Sequence, residues 1–586
     1  MSKSYISNYE KHPVVRVSES SNSCAVGWQA IVQALKASVR PGRSVICVEC
    51  YPGCFEKDIE RELVSALKPE LVLRAADCYL PESAIQALCA RDLGDDPVFA
   101  FMSNYELPEF LDQQELTKRR KQLQKASGLV LVIGTGATLL AEHWGLLVYC
   151  DMARWEIQQR QRANTITNLG LNNFTDRAQL KYKRAYFVDW RVADRLKKSL
   201  LPKIDFLLDT NQPDKPKMIT GRKLAQGLKN AAQQPFRVVP FFDPGPWGGQ
   251  WMKEVCDLPR DVENYAWCFD CVPEENSLLL GFGDVKVEIP SINLVFTHPH
   301  EVLGEAVHAR FGTEFPIRFD FLDTMDGGNL SFQVHPLTEY IQEKFGMHYT
   351  QDESYYLLEA TKEGCVYLGF KENIDRQQMT RDLWRAQEGA APFDADKYVN
   401  RFAARKHDHF LIPAGTAHCS GRNSMVLEIS ATPYIFTFKM WDWGRLGMDG
   451  TPRPIHLEHG LRNIQWDRTT PWVEKNLVNA IQPIAKGDGW REERTGLHER
   501  EFIETRRHWF TGAVPHSTNG GVNVLNLVEG REAVVESPTG KFAPFVAHYA
   551  ETFIVPAAVG DYVIRPHGES EGKPCATIKA FVRTNP

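Results

Sequence analysis

The hydrophobic rhythm of this chain changes near residue 235, and no single fold accommodates both halves of the pattern. Before that point, short apolar runs are predicted as strands at Ser44–Glu49, Leu71–Ala75, Val98–Met102, Leu129–Ile133, Leu146–Cys150 and Phe206–Asp209. Amphipathic stretches at Glu56–Leu67, Glu82–Leu88, Asp112–Ala126 and Trp190–Leu200 separate them and are predicted as helices. Near-continuous apolar strands alternating with helices imply a mostly parallel sheet covered on both faces. The pattern stops at the turn-rich Asn211-Gln-Pro-Asp-Lys-Pro, and one more helix, Gly221–Ala232, precedes Gln233-Gln-Pro. Beyond it the predicted strands are short and separated by Gly, Pro and Asp: Ser277–Leu280, Leu330–Val334, Tyr355–Ala360, Val366–Phe370, His409–Ile412, Met425–Ile429 and Tyr434–Lys439. That spacing suggests an antiparallel jelly roll. A helical insertion is expected over 375–404, and strands resume at Val522–Leu527, Ala533–Val535, Phe545–His548, Thr552–Val555 and Asp561–Ile564.

The expected organisation is therefore multidomain: an α/β domain over 1–235, then all-β domains over 236–475 and 476–586. At 586 residues the chain exceeds what one core supports. A net charge of −6 gives no draw toward nucleic acid or anionic lipid. The longest apolar runs fall well short of a membrane span, and Met1–Val15 lacks the apolar core of a signal peptide, so a cytoplasmic protein without nucleic-acid or membrane partners is expected. The two CxxC pairs, Cys47–Cys50 and Cys268–Cys271, are too far apart for a zinc knuckle and read as reduced structural thiols.

The chemistry concentrates in three segments. In Ser331-Phe-Gln-Val-His-Pro, Gln333 and His335 are two apart on a strand and leave the same face. Glu353 opens the next strand, and Leu411-Ile-Pro-Ala-Gly-Thr-Ala-His418 is a strand, a Pro/Gly turn and a histidine opening another. In an antiparallel barrel these strands can converge. An amide oxygen, two imidazoles and a carboxylate suit Zn2+, and also Mn2+, Fe2+ or Co2+.

From about Val238 onward the chain resembles a type I phosphomannose (mannose-6-phosphate) isomerase of the short bacterial kind. The matching motifs are Pro246-Trp-Gly-Gly249, Asp320–Asp323 leading into Leu330–Pro336, Glu353-Ser-Tyr-Tyr-Leu, Ile412–His418, Leu427-Glu-Ile, Trp441-Asp-Trp-Gly-Arg445 and Glu551–Tyr562. The resemblance implies a double cupin fold, zinc held by Gln333, His335, Glu353 and His418, and Arg445 as an active-site arginine. It also implies a sugar-phosphate substrate and proton transfer between C1 and C2 through a cis-enediol. Glu428 and Asp442 are the nearest candidates in sequence for the base. The chain departs from the family at Gln351, where a lysine usually precedes the ligand glutamate by two residues. Lys253, Arg422 and Lys439 are the candidate replacements for that positive charge.

The first half resembles a uridine-kinase-like P-loop domain at Ser44–Gly53, Asp77-Cys-Tyr, Leu129–Gly136 and Tyr149–Asp151, followed by Arg160 and Arg162. The phosphate loop itself is broken. Tyr51-Pro-Gly-Cys-Phe-Glu-Lys57-Asp58 lacks the second glycine and the Ser/Thr, and Glu56 would repel phosphate, so a degenerate, non-catalytic domain is expected. The alternatives to an isomerase are a sugar-sensing cupin protein without turnover and a bifunctional sugar kinase–isomerase. Cupin oxygenation would want a histidine-rich triad instead of a glutamine ligand.

Overall fold

A computed structural model describes residues 6–39, 42–431, 434–447, 450, 453–496 and 501–584. The first residues of the N-terminal segment read above, 1–5, lie outside the described residues. The chain forms two compact units, Val14–Ala231 with Ser277–His298, and Met1–Pro13 with Ala232–Asn276 and Pro299–Pro586.

The first unit is built on a seven-stranded sheet. Its order is Cys24–Val26, Lys217–Thr220, Phe206–Asp209, Leu146–Asp151, Ser44–Cys50, Leu129–Gly134, Leu71–Arg74. The last five of these run parallel. All seven residues of Ser44–Cys50 are buried, which is why this strand reads as an unbroken apolar run. The helices Glu56–Leu67 and Gly221–Ala232 fall where periodicity places them, whereas Glu82–Leu93 runs longer than expected.

Val98–Met102, expected to be a strand, is a loop instead. Asp96 accepts hydrogen bonds from the amides of Val98 and Phe99, and Phe101 N donates to Asp92 O, so these backbone groups are satisfied locally and need no ladder. Ser277–Phe282 differs in its allegiance. It is a strand, but it pairs in parallel with Val14–Ser18 and antiparallel with Val285–Pro290, inside the first unit. The excursion is fastened by Asn293 donating to Asp151 (2.7 Å) and by Glu288 N donating to Asp209 (2.9 Å). The boundary read at residue 235 is therefore overridden at two places, by this excursion and by Met1–Pro13, which belongs to the second unit, and periodicity reveals neither.

Past the carboxyl end of Leu129–Gly134, three loop amides are engaged by carboxylates from the neighbouring segment 49–56. Glu49 accepts from Gly136 N (2.6 Å) and Thr138 N (2.8 Å), and Glu56 accepts from Thr135 N (3.0 Å). Burial raises the Glu49 carboxyl to about 7.

The second unit holds two pairs of facing antiparallel sheets. In the first pair, a six-stranded sheet has the order His409–Ile412, Asp352–Ala360, Ser424–Ala431, Arg318–Asp323, Trp267–Cys271, Phe241–Asp243. It is covered by a five-stranded sheet, Val399–Ala403, Cys365–Phe370, His418–Ser420, Phe332–Val334, Phe438–Trp441. The expected helical insertion is only partly helical: Arg376–Gln387 and Ala395–Tyr398 are helices, but Val399–Ala403 is an edge strand. The second pair packs a six-stranded sheet ending in Asn523–Glu529 and Thr552–Val555 against four strands from Val514 to Pro566. Its apolar core includes Phe510, Val514, Leu525, Leu527, Phe553 and Ile564. All thirteen cysteines are free thiols.

Candidate metal centre

Three ligand side chains stand on one sheet of the first pair and the fourth on the other. Gln333 lies directly opposite His418 in the five-stranded sheet, and Glu353 enters from the six-stranded sheet, opposite Ser430. His335 and His418 are fully buried and Glu353 is 1% exposed. One ligand atom from each of His335, Glu353 and His418 lies within 4.8 Å of the others. His335 Nε2 is 3.1 Å from Glu353 Oε2, and His418 Nε2 is 2.8 Å from Glu353 Oε1.

The far side of each imidazole fixes its tautomer. His335 Nδ1 meets Phe436 O at 2.9 Å and His418 Nδ1 meets Thr416 O at 2.8 Å, so each Nδ1 donates and each Nε2 turns its lone pair inward. Two lone pairs and a carboxylate aimed at one point repel unless a proton or a cation sits between them. A divalent cation fits this donor set. The Gln333 amide lies 3.3 Å from His418 Nε2, and half a turn about its last bond presents its oxygen to the same place. Burial works against charge here, but the facing groups win: Glu353 is held well below the ordinary carboxylate value by the two imidazoles, and His335 is raised by Glu353.

The Pro413–Ala417 turn locks the strands together. Gly415 takes φ +83°, its amide donates to His335 O (3.0 Å), and a Cβ there would meet Gln465 and Asn463 under 3 Å. Asp352, next to Glu353, accepts from Ala414 N (2.7 Å). Arg468 donates to Pro413 O and Ala414 O, both at 2.8 Å.

Gln351 is built into this frame. It is 3% exposed and donates to Glu353 Oε2 (3.1 Å) and Glu428 Oε1 (3.5 Å). Its own oxygen accepts from Phe436 N (3.0 Å), the residue whose carbonyl holds His335. A neutral amide thus bridges two carboxylates where a cation was expected. Glu428 stands opposite Tyr355 on one side and Asp320 on the other. Burial first, then the charges of Glu353 and Asp320, raise its carboxyl well above the usual range. Arg318 pairs with Asp320 at 2.6 Å and is 2% exposed.

Of the residues named as replacement cations, Lys439 is the one whose strand position adjoins a candidate ligand. It lies directly opposite Gln333, so both side chains leave the same face of the sheet. Burial, with Arg453 and Arg445 nearby, lowers its ammonium to about 7. Lys253 instead donates to Glu263 O (3.0 Å), and Arg422 pairs with Glu363 on the surface. Asp442 is clamped by Arg445 (2.6 Å), Arg453 (2.7 Å) and Ser331 Oγ (2.9 Å). Arg445 also donates to Asp442 O (3.2 Å) and Asn329 O (2.6 Å), which anchors the loop. Arg453, Ser331 and Tyr355 were not singled out in the sequence. Ser331 and Tyr355 each stand two residues from a ligand on the same strand, which is a signal for both; Arg453 follows an aperiodic loop and gives none.

Fold and site define a class, that of proteins with paired antiparallel β-domains and a buried cation-ligating triad. Within it, the C-terminal part of this chain is similar to mannose-6-phosphate isomerases. It is 22% identical over 349 residues to the mannose-6-phosphate isomerase ManA of Bacillus subtilis, spanning 58% of this chain and 95% of that protein. It is 25% identical over 217 residues to the mannose-6-phosphate isomerase of Streptococcus mutans, spanning 37% of this chain and 63% of that protein. The solved structure of the mannose 6-phosphate isomerase from Bacillus subtilis covers 59% of this chain and 99% of its own length, at 18% identity and a TM-score of 0.47. Residues 27–233 match a family described as a domain of unknown function, DUF8485. Among the described residues no helix is long and apolar enough to cross a membrane.

Proposed function

We propose that this chain is a divalent-metal-dependent isomerase interconverting mannose-6-phosphate and fructose-6-phosphate. The observation that carries the reading is the convergence of two tautomer-fixed imidazoles and Glu353 beside a cationic cluster, in a segment similar to isomerases of that name. Gln333, His335, Glu353 and His418 would hold the ion, with Zn2+ expected from the nitrogen and oxygen donors. When bound, the cation supplies a Lewis acid for the sugar oxygens next to the reacting carbons.

The chain's own residues account for the rest. Aldose–ketose exchange moves one proton between C2 and C1 and another between the two oxygens, through a cis-enediol. Glu428, buried beside Glu353, is assigned as the proton carrier, and Gln351 fixes its orientation. Lys439 and Arg453 supply positive charge toward the phosphate, with Asp442 and Arg445 positioning Arg453. Lys439 has no hydrogen-bond partner among the described residues, as expected of a group waiting for an anion, and a bound phosphate would restore its charge. In this reading the phosphate contact has moved from position 351 to the strand Phe438–Trp441.

Elemental analysis and isomerase assays on the full chain test the proposal, in wild type and His418→Ala. Wild type is expected to carry stoichiometric metal and turn over both sugar phosphates; His418→Ala is expected to lose both. A metal-replete wild type without turnover would overturn the isomerase and leave a sugar-binding protein, the reading that the neutral Gln351 favours.

A further inference from the structure

The mouth of the second β-domain holds a cluster of titratable side chains that the isomerase reading does not use. Its strands are apolar at one end and polar at the other. On Ile503–Phe510 the inward face runs from Phe510 in the core to His508, Arg506 and Glu504. Across the ladders, His508 lies opposite Glu492 and Thr577, and Arg506 lies opposite Lys579. From the facing sheet, His516 lies opposite Tyr562 and brings its ring to 4.4 Å from that of His508. Tyr562 stacks on His516 at 8° and anchors its hydroxyl on Asn523 (2.9 Å). Glu492, Arg506, His508, His516, Tyr562 and Lys579 line a cavity of about 510 Å³, with Pro515, Asn519 and Pro538 also on its wall.

The charges in this mouth are unevenly paired. Glu492 is neutralised by Arg506 (2.9 Å) and His508 Nε2 (3.3 Å), and Glu504 by Arg506 (2.6 Å) and Arg494 (3.2 Å). Lys579 is left over. It is 7% exposed, and its ammonium makes no ion pair among the described residues and lies 5.5 Å from the centre of the Phe581 ring. Both ring nitrogens of His516 and the Nδ1 of His508 are also buried without partners. Asp561 stands exposed at the rim. An unpaired buried ammonium costs free energy unless something compensates it. An ammonium without an ion pair and an imidazole with both nitrogens unpartnered, around one cavity, are a poor design for a core and a suitable one for an oxyanion.

We propose that the mouth of the second β-domain is a binding site for a small oxyanion-bearing molecule, a phosphate or a carboxylate, held by Lys579 and His516. His516 donates a ring N–H once the anion is in place, and the rings of His508, turned to Glu492, and Tyr562 wall the site. A metal ion is disfavoured by the adjacent ammonium, and only His335, Glu353 and His418 group as metal ligands among the described residues.

Calorimetric titration of the full chain with inorganic phosphate and, separately, with malonate tests the site, followed in parallel by imidazole NMR. Lys439→Met is the background, because it removes the cation at the first centre and leaves the second intact. In that background, binding by either probe is expected to shift the His508 and His516 resonances, and the probe that binds identifies the anion. Adding Lys579→Met is expected to weaken binding at least tenfold while raising the melting temperature, since it replaces an unpaired ammonium by an apolar chain of similar length. His516→Gln serves as a second variant and is expected to weaken binding without that gain in stability. Unchanged anion affinity in both variants would overturn the proposal, as would zinc bound by His508 and His516 more tightly than either anion.

Discussion

Glu428 illustrates how a single side chain acquires a role from its neighbours. On the strand Ser424–Ala431 it is one inward residue among several, but Asp320, Tyr355 and Gln351 meet it there, within the field of Glu353. Replacing it with glutamine keeps the shape and the contact to Gln351 while removing the proton it carries. Glu428→Gln is expected to lower kcat by ~10²–10⁴-fold with metal content unchanged. Loss of metal in that variant would mean that Glu428 supports the ligands and does not move protons. His409 is a second buried group with a consequence. It is fully buried with both ring nitrogens unpartnered, and burial, with Arg507 nearby, lowers its pKa to about 3. An imidazole that titrates at ~6.5 in the unfolded chain but near 3 when folded takes up its proton only on unfolding. Stability contributed by neutral His409 is thus present above pH 6.5 and lost as pH falls toward 3, by up to ~1.4 kcal/mol per pH unit. Urea midpoints measured between pH 7 and 5 should fall less steeply in His409→Phe than in wild type.

At the scale of elements, the ligand geometry depends on a turn that carries no ligand. Pro413–Ala417 ties the strand of Glu353 to that of His335 through Gly415 N and Asp352, and its backbone at Gly415 lies in the left-handed region. A Cβ at that position is strained and also collides with Asn463 and Gln465. Gly415→Ala is expected to cost ~1–3 kcal/mol of stability. It should also lower metal occupancy, because relaxing the turn moves His335 and His418 relative to Glu353; elemental analysis of the folded variant reads this out. The alternation Gln-Val-His was legible in the sequence because a strand has only two faces. The place of Lys439 opposite Gln333 was not, because the pairing shifts register between Phe332 and Gln333, and such shifts leave no mark on periodicity.

For the molecule as a whole, the chain leaves the second unit at Ser277 and returns to it at Pro299. The excursion supplies a sheet partner for Val14–Ser18 and caps buried charges of the first unit. Without it, Asp151 keeps Lys197 (2.8 Å) but loses Asn293, and Asp209 loses the amide of Glu288. A fragment ending at residue 235 is therefore expected to be poorly folded. Its amide exchange should be fast around Asp151 and Asp209, whereas the same residues in the full chain should be protected. A fragment with a cooperative melt at the full-chain temperature would refute the dependence.

The two structural classes, most of the elements and the proposal of Gln333, His335, Glu353 and His418 as ligands came from local pattern and motif, because side-chain period and turn chemistry are properties of neighbours in sequence. Tertiary structure decided what those patterns leave open. It placed Ser277–Phe282 in the first unit, turned Gln351 from an absent cation into a bridge between carboxylates, and brought Lys439 opposite Gln333. It also left Lys579 unpaired in the second domain. Each of these depends on which distant strands meet and in what register, and burial sets the strength of the charges only after that meeting has occurred.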